Sequence, residues 1–223
     1  GVSFDIYPGE TYGLVGESGS GKTTIGRSII RLYNPTSGSI IFEGKEIAGK
    51  LDRETERMLR RDMQMIFQNP YASFNPKQRI ARALWEVGRV HGMSADAARA
   101  RIGELMDMVH LDRSVLGCYA HEMSGGMKQR AAIALSVIYS PKLLILDEAT
   151  SALDTESEHL VQEALDRLMK SRTTIAIAHR LSTIKNADII HVLYEGEIVE
   201  SGQHDELIAL NGYYKRLYDM QQL

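Results

Sequence analysis

The stretch Gly16-Glu17-Ser18-Gly19-Ser20-Gly21-Lys22-Thr23-Thr24 decides the fold, because it matches the pattern G-x-x-x-x-G-K-[ST] in the setting that this pattern requires. Residues 11–15 before it read as a short buried strand, and Ile25, Ile29 and Leu32 after it recur at helical spacing. A strand, a glycine loop and a helix in this order aim successive backbone N–H groups at one anion, at the positive end of the helix dipole. The stretch therefore predicts a phosphate-binding loop. A glycine-rich turn that only joins a strand to a helix is the weaker interpretation.

The side chains of this loop, and two acids far along the chain, suit a nucleotide and a metal ion. Lys22 would reach the β- and γ-phosphates, and the Thr23 hydroxyl would hold Mg²⁺. Residues 143–146 form an apolar strand that ends in Asp147 and Glu148. Carboxylates at the carboxyl end of a parallel strand lie where open α/β sheets bind ligands. We therefore predict that Asp147 supports Mg²⁺ and that Glu148 polarises the attacking water, the alternative being an ordinary acidic turn.

A second helix start is indicated by Ser124, Gly125 and Gly126. Serine is a preferred N-cap, and the glycines leave the N–H groups of the first turn open to an anion. A helix that needed only a cap would not require both glycines. Because the chain already has one phosphate loop, the simplest reason for a second is that two copies pair head to tail, each offering this turn to the nucleotide of the other.

The composition predicts one globular unit in a reducing compartment. The 223 residues are 43% hydrophobic, which is enough for one sizeable core. A net charge of −3 gives no electrostatic case for nucleic acid. Cys118 is the only cysteine, so it has no internal disulfide partner, and the apolar runs are shorter than the ~20 residues of a membrane helix. With no signal peptide at the start, we expect a cytoplasmic chain that meets a membrane through a partner.

An α/β fold with a helical insert is predicted by the hydrophobic periodicity. Strands alternate with helices on both sides of residues 69–141, which favours a mainly parallel sheet with covered faces. The predicted strands are residues 2–7, 11–15, 39–42, 63–67, 143–146, 173–178, 189–193 and 197–201. Besides the helix after the phosphate loop and two short ones at the end, the predicted helices are residues 53–61, 78–91, 95–109, 124–139 and 156–169.

Together these motifs resemble the nucleotide-binding domain of ATP-binding cassette (ABC) transporters, over essentially the whole chain. The glycine loop, the serine-glycine-glycine turn and the acidic pair follow the family's order. Gln68 corresponds to its glutamine before the helical insert, residues 151–154 to its dimer loop and His179 to its switch histidine. Met123 and Met127 stand where leucine and glutamine are commonest. Taken alone, Gln68 and His179 would be ordinary polar residues.

The resemblance implies a RecA-like P-loop NTPase core, formed by residues 1–70 and 141–223, with a mainly parallel sheet and a small antiparallel β part. Residues 71–140 would form a helical subdomain. The implied cofactors are ATP and Mg²⁺, and the implied activity is ATP hydrolysis coupled to transport. As partners it implies a second or paralogous cassette in a head-to-tail dimer and the transmembrane domains of a transporter, without nucleic acid. The chain would be cytoplasmic and peripheral to the membrane.

The same resemblance implies roles for individual residues. Catalysis would involve Glu148, His179 and Gln68. The metal would be held by Thr23, Gln68 and Asp147, and Asp154 would belong to the dimer loop. The implied nucleotide contacts are Gly16, Glu17, Ser18, Gly19, Ser20, Gly21, Lys22, Thr23 and Thr24 in one copy and Ser124, Gly125 and Gly126 in the other.

Two branches of that family contribute to the resemblance. Up to about residue 141 the chain resembles ATPases of oligopeptide and dipeptide importers, through residues 66–76 and 121–127. From about residue 149 it resembles multidrug or lipid exporters, through residues 177–184. We hypothesise an engineered or recombined cassette that is joined near the acidic strand. One natural subfamily containing both halves would contradict this hypothesis.

The start of the chain also departs from the family, whose members typically carry a further strand and an adenine-stacking aromatic residue upstream of Val2. Neither Tyr7 nor Tyr12 stands at the matching place. We therefore expect ATP to bind weakly, through its phosphates and Mg²⁺, with poor base discrimination. One alternative function is a chimeric fold that binds nucleotide weakly or not at all and drives no transport. Another is a cassette ATPase acting on DNA or ribosomes, which the charge balance disfavours.

Overall fold

The computed structural model of the chain describes residues 1–148, 153–178 and 181–221, with the backbone alone at residues 71 and 72. The chain divides into two compact units. The first comprises Gly1–Met65, Lys142–Glu148 and Arg172–Leu223, and the second comprises Ile66–Pro141 and Ala149–Ser171. The predicted domains kept residues 141–223 together, whereas here the stretch with the helix of residues 155–169 belongs to the second unit.

A six-stranded sheet organises the first unit and has the strand order β4-β5-β6-β1-β7-β8. Strand β1 pairs in parallel with β6 and β7, β5 pairs in parallel with β6, and β8 is antiparallel to β7. Strands β2 and β3 form a separate antiparallel pair. The predicted sheet, mainly parallel with a small antiparallel part, is confirmed. The strands are β1 (Thr11–Gly16), β2 (Ile41–Phe42), β3 (Lys45–Glu46), β4 (Met63–Ile66), β5 (Leu143–Asp147), β6 (Thr173–Ile177), β7 (Ile189–Tyr194) and β8 (Glu197–Gly202).

The register of this sheet brings the two predicted phosphate-site segments to one edge. Leu14 of β1 and Asp147 of β5 both lie opposite Ile177 of β6, one on each side of it. All five residues of β5 are buried, as expected for an inner strand of a parallel sheet covered on both faces. Because the three strands run in the same direction, the loop after β1 and the acids at the end of β5 emerge together.

Helices fill the rest of both units, and all the predicted helices are present with ends shifted by a few residues. Their starts follow from side-chain caps: Asp52 Oδ1 accepts a hydrogen bond from the Thr55 amide at 2.7 Å, and Ser94 Oγ accepts one from the Ala97 amide at 3.2 Å. In the described ranges, no helix is both long and apolar enough to cross a membrane. The helices are α1 (Lys22–Ile29), α2 (Arg53–Asp62), α3 (Ile80–Val90), α4 (Ala95–Met108), α5 (Gly125–Ser136), α6 (Thr155–Met169), α7 (His204–Ala209) and α8 (Tyr213–Gln221).

Two strand predictions need correction. Residues 2–7 form no strand, although their exposure alternates along the chain. The alternation reflects packing without ladder hydrogen bonds, because the Phe4 ring lies 5.3 Å from the ring of His191 on β7. The strand predicted at residues 39–42 is reduced to β2. The Ile40 amide donates a hydrogen bond to the Glu46 carboxylate at 3.1 Å, so at this residue only the carbonyl, which accepts from the Ile47 amide at 2.7 Å, bonds across to the neighbouring backbone.

Candidate functional site

The phosphate loop begins at a backbone position that only glycine can occupy. Gly16 has a φ of 151°, and a β-carbon there would lie 2.2 Å from the carbonyl oxygen of Leu193 on the neighbouring strand. Its approach to β7 turns the chain at the end of β1 into the loop. The Ser20 amide then donates a hydrogen bond to the Glu17 carbonyl at 3.2 Å, which closes a tight turn over Ser18 and Gly19. The loop is thus compact before any ligand is added.

Lys22 lies folded against the inside of this loop. Its Nζ donates hydrogen bonds to the carbonyl oxygens of Gly16 and Glu17, each at 2.8 Å, and to Ser20 Oγ at 3.4 Å. The residue is only 6% exposed. Burial lowers the pKa of its ammonium group, while the nearby carboxylates of Glu148 and Asp147 act in the opposite direction. A cation is therefore held at the centre of the loop by groups that an anionic ligand can replace.

A direct contact joins the loop to the acidic strand. Thr23 Oγ1 donates a hydrogen bond to Asp147 Oδ1 at 2.8 Å, although the two residues are 124 positions apart in sequence. Asp147 is 5% exposed. The next residue, Glu148, has a φ of 48°, and its amide donates to the Ile177 carbonyl at 3.0 Å. The strand therefore ends in a turn at Glu148, beside the lysine and threonine of the loop.

The chemistry of these donors fits Mg²⁺. Hydroxyl and carboxylate oxygens are the hard ligands that Mg²⁺ prefers, and this ion usually takes only one or two of them from a protein and the rest from phosphates and water. Thr23 and Asp147 supply such a pair. Among the described residues, no cluster of three or more His, Cys, Asp or Glu could hold a metal by itself. The pair thus suits an ion that arrives with a phosphate ligand.

Helix α1 begins within reach of the same space. Its N-cap is Gly21, which has no side chain to cap the first turn formed by Lys22, Thr23 and Thr24. The first N–H groups of a helix lack partners within the helix and carry partial positive charge. The first unit therefore places one helix start, one lysine and two carboxylates around the phosphate loop. The loop positions predicted from sequence, residues 16–24, lie at the end of β1, in the loop itself and in the first turn of α1.

In the second unit, the serine-glycine-glycine turn starts α5 as predicted. Ser124 is the N-cap, and its Oγ accepts a hydrogen bond from the Met127 amide at 3.2 Å. A β-carbon on Gly126 would lie 2.4 Å from Ser157 Cβ on α6, so this glycine permits close packing of the two helices. Among the described residues, a β-carbon on Gly125 would meet Leu153 alone, at 3.6 Å. Packing among the described residues thus explains the glycine at position 126.

Asp154 starts the neighbouring helix. Its carboxylate is the N-cap of α6 and accepts a hydrogen bond from the Ser157 amide at 2.9 Å, a contact that lowers the pKa of the carboxyl group. Gln68 lies exposed in a bend between β4 and a short 3₁₀ helix, Pro70–Ser73. His179 and, in the dimer loop, Ser151 and Ala152 lie outside the described residues.

Sequence reasoning missed three consecutive buried polar residues that follow the glycine turn, Lys128, Gln129 and Arg130. Gln129 is 1% exposed, and its Nε2 donates to the Phe67 carbonyl at 3.4 Å. Arg130 is 8% exposed, and burial lowers the pKa of its guanidinium group. The available signal was the position of these polar residues directly before the apolar run of residues 131–135, on a helix without a polar face.

The chain matches proteins of one family along most of its length. A family model described as ABC transporter matches residues 1–151. The chain is 43% identical over 223 residues to the oligopeptide transport ATP-binding protein OppF of Bacillus subtilis, covering 97% of this chain and 73% of that protein. It is 42% identical over 223 residues to the ATP-dependent lipid A-core flippase of Chromobacterium violaceum, covering 99% of this chain and 37% of that protein.

Exporters that are much longer than this chain also match. The chain is 44% identical over 222 residues to multidrug resistance protein 1 of Entamoeba histolytica, covering 97% of this chain but 17% of that protein. A solved structure of a bacterial Atm1-family ABC exporter with ATP bound superposes with a TM-score of 0.82 and 32% identity, covering 100% of this chain and 39% of the exporter. The chain therefore spans well under half the length of these exporters.

Proposed function

The chain belongs to the ABC transporter family, as an ATPase domain of that family, and from this premise we propose that it binds ATP with Mg²⁺ and hydrolyses the γ-phosphate in a head-to-tail dimer. The observation that carries the proposal is the 2.8 Å hydrogen bond from Thr23 Oγ1 to Asp147 Oδ1. It joins the glycine loop to the acidic strand through two oxygen ligands of the kind that a Mg²⁺–nucleotide needs.

The loop would bind the phosphates through positive charge that is already in place. Backbone N–H groups of residues 16–24 and the start of α1 would surround the β- and γ-phosphates. Lys22 Nζ would exchange its contacts with the Gly16 and Glu17 carbonyls for phosphate oxygens, which restores its lowered pKa because an anion favours the charged amine. Thr23 and Asp147, together with Gln68, would hold the metal. Bound Mg²⁺ would neutralise charge on the phosphates.

Glu148 would orient and polarise the attacking water, with His179 and Gln68 positioned toward the γ-phosphate. The Glu148 carboxylate follows directly on the residue that contacts Thr23, so it is at the correct end of the strand for this role. General-base assistance of this kind contributes typically 10²–10⁴-fold to a rate. The remaining acceleration would come from charge stabilisation by Lys22 and the loop amides.

The second copy would complete the site. Ser124, Gly125 and Gly126 would present the first turn of its α5 to the γ-phosphate, and Asp154 would lie in the loop that meets the first copy. The looser surroundings of Gly125 support this assignment, because among the described residues a β-carbon there would meet Leu153 at 3.6 Å and would not clash, unlike one on Gly126. A paralogous cassette offering the same turn would serve equally well.

Closure of the dimer over ATP would drive the transmembrane domains of a transporter, which would keep the chain cytoplasmic and peripheral to the membrane. The relatives act on different cargo: one name specifies oligopeptide transport, another lipid A-core and a third multidrug resistance. A shared motor with separate cargo-selecting segments accounts for this variety. The neutral-to-acidic balance, with a net charge of −3, supports the absence of nucleic acid among the partners.

Turnover by a Glu148→Gln variant tests the proposed chemistry. We expect ATP hydrolysis to fall by about 10²–10⁴-fold while ATP affinity is retained, since glutamine keeps the shape but cannot accept the proton. Glu197→Gln, at the start of the edge strand β8, is the matched control and should hydrolyse ATP at the unmodified rate. Hydrolysis by Glu148→Gln at the rate of the control would refute the assignment.

A further inference from the structure

We propose that Arg130 is a positioning residue that fixes the first turn of α5, the turn that carries Ser124, Gly125 and Gly126. This inference rests on the proposed function, because the turn matters for turnover only if a second copy uses it. Arg130 lies beyond the turn along α5 and contacts it through the carbonyl oxygen of Gly126. Its role would be to hold the turn in the orientation that the nucleotide of the second copy requires.

The guanidinium group of Arg130 bonds to backbone carbonyls of two helices. Its Nε donates to the Gly126 carbonyl at 3.4 Å, within the first turn of α5. Its Nη1 donates to the Val109 carbonyl at 3.4 Å and also to the His110 carbonyl. Arginine can do this because its planar group carries several donors in a fixed arrangement. A single buried side chain thus ties the start of α5 to the end of α4.

The end of α4 needs a partner of this kind. Val109 is its C-cap, and His110 follows in a left-handed conformation with a φ of 52°. The last carbonyls of a helix have no partners within it and carry partial negative charge, so a buried cation there satisfies both the hydrogen bonds and the charge. The hydrogen bonds to the Val109 and His110 carbonyls fix the position of the Arg130 side chain. Arg130 in turn donates to the Gly126 carbonyl and so fixes the first turn of α5.

Helix α6 supports the same cluster from its other side. Gly126 packs against Ser157 so closely that a β-carbon added to Gly126 would lie only 2.4 Å from the β-carbon of Ser157. His110 Nε2 lies 3.4 Å from Glu163 Oε1 on α6. The first turn of α5 is therefore fixed by close packing on one side and by the Arg130 bonds on the other. Loss of the arginine would leave packing alone to orient it.

Arg101 offers a control with matched chemistry at the opposite end of the same two helices. It lies on α4, and its guanidinium donates to the carbonyls of Ile138 at 3.3 Å and Val137 at 3.2 Å, at the end of α5. Each arginine thus caps the helix that carries the other. Arg101 is remote in sequence from the serine-glycine-glycine turn, so its removal takes away a comparable cap and leaves the turn intact.

The experiment compares Arg130→Met with Arg101→Met in chains that also carry Glu148→Gln. Thermal unfolding checks that both variants fold and lose comparable stability. Hydrogen exchange of amides 128–132, which bond to the first-turn carbonyls, reports the order of the turn in the monomer. Sedimentation with ATP and Mg²⁺ reports dimerisation, and a fluorescent ATP analogue at low protein concentration reports binding to the loop. Arg130→Lys, which keeps the charge and a single donor group, replaces Arg130→Met if the latter does not fold.

We expect Arg130→Met to speed exchange at amides 128–132 and to weaken ATP-driven dimerisation roughly tenfold or more, with unchanged binding of the analogue. Arg101→Met should leave both the exchange at these amides and the dimerisation as in the parent chain. Equal dimerisation by the two variants would overturn the positioning role. If the parent chain itself fails to dimerise while Arg130→Met speeds exchange, the proposed function fails and the positioning role stands.

Discussion

The loop glycines differ in what an added β-carbon would meet. This difference distinguishes the cost of backbone strain from the cost of a steric clash. At Gly16 the β-carbon would lie 2.2 Å from the Leu193 carbonyl oxygen, whereas at Gly19, with a φ of 83°, no atom of the described residues lies within 4 Å. We predict that Gly16→Ala lowers the free energy of unfolding by roughly 2–4 kcal/mol, because the clash is with backbone. Gly19→Ala should cost about 1–2 kcal/mol for its left-handed backbone alone. Urea unfolding would measure both, and equal losses would disprove the difference.

The hydroxyl of Thr23 offers a second test. Thr23→Val keeps the shape of the side chain but removes the donor to the buried Asp147 carboxylate. We predict a loss of about 1–3 kcal/mol in stability and a higher Mg²⁺ concentration for half-maximal ATPase activity. Thr23→Ser keeps the hydroxyl and should retain normal Mg²⁺ dependence. A Mg²⁺ titration in which valine and serine variants behave alike would exclude Thr23 from the metal site.

His191 predicts a pH effect on folding. Burial lowers its pKa below the ordinary value near 6.5, its Nδ1 pairs with Ser201 Oγ at 2.8 Å, and its buried Nε2 has no hydrogen-bond partner among the described residues. Below about pH 6.5 the unfolded chain binds a proton that the folded protein resists, so stability falls as the pH falls. When the pH is lowered from about 7.5 to 5.5, the free energy of unfolding should fall less in His191→Gln than in the unmodified chain. The difference between the two slopes is at most about 1.4 kcal/mol per pH unit, the value for one proton. Urea unfolding of both proteins at each pH measures this difference. An equal loss of stability in the variant and the unmodified chain would contradict the prediction.

Single residues were predictable where a spacing carried the chemistry. The loop, with Lys22 and Thr23 at fixed offsets, requires no knowledge of distant contacts. Asp147 was predictable for a similar reason, since an acid that ends a buried parallel strand lies at the edge of the sheet where ligands bind. For Arg130 the sequence signals a buried polar residue but not its partners, because these are backbone carbonyls and leave no trace in side-chain identity.

At the scale of elements, the two glycines at the start of α5 allow the effect of packing on stability to be distinguished from the effect on ATP hydrolysis. Gly126→Ala would place a β-carbon 2.4 Å from Ser157 Cβ and should cost about 1–3 kcal/mol through overpacking. Gly125→Ala meets only ordinary contact with Leu153, so it should be neutral or stabilise α5 by about 0.5–1 kcal/mol. The same Gly125→Ala variant should nevertheless hydrolyse ATP more slowly, because the added methyl faces the nucleotide of the second copy. Normal turnover in this variant would remove Gly125 from the composite site.

Element types were easier to predict than element partners. The buried run of β5 and the capped helices α2 and α4 are set by local sequence. In contrast, residues 2–7 alternate like a strand but reach the sheet through the Phe4 ring instead of ladder bonds. Helix α6 belongs to the second unit, where Ser157 packs so closely on Gly126 that a β-carbon on the glycine would clash. A pattern of hydrophobic residues predicts the type of element but not which other element it packs against.

At the scale of the whole molecule, the two kinds of relative match nearly all of the chain at similar identity, 43% for the oligopeptide ATPase and 42% for the flippase. The hypothesis of a cassette joined near β5 stays a prediction. It expects residues 1–141 to be more similar to importer ATPases and residues 149–223 to exporter ATPases when each part is compared separately. Equal similarity of both parts to one kind of relative would contradict it.

The mass of the Glu148→Gln chain in solution, with and without ATP and Mg²⁺, tests the central claim most directly. The account predicts a shift from the 24.9 kDa monomer to twice that mass when ATP is added, since trapped nucleotide joins the phosphate loop of one copy to the Ser124 turn of the other. The same chain carrying Ser124→Arg should bind ATP and remain a monomer. A monomer at saturating ATP and high protein concentration, or a dimer that forms equally well with Ser124→Arg, would contradict the account.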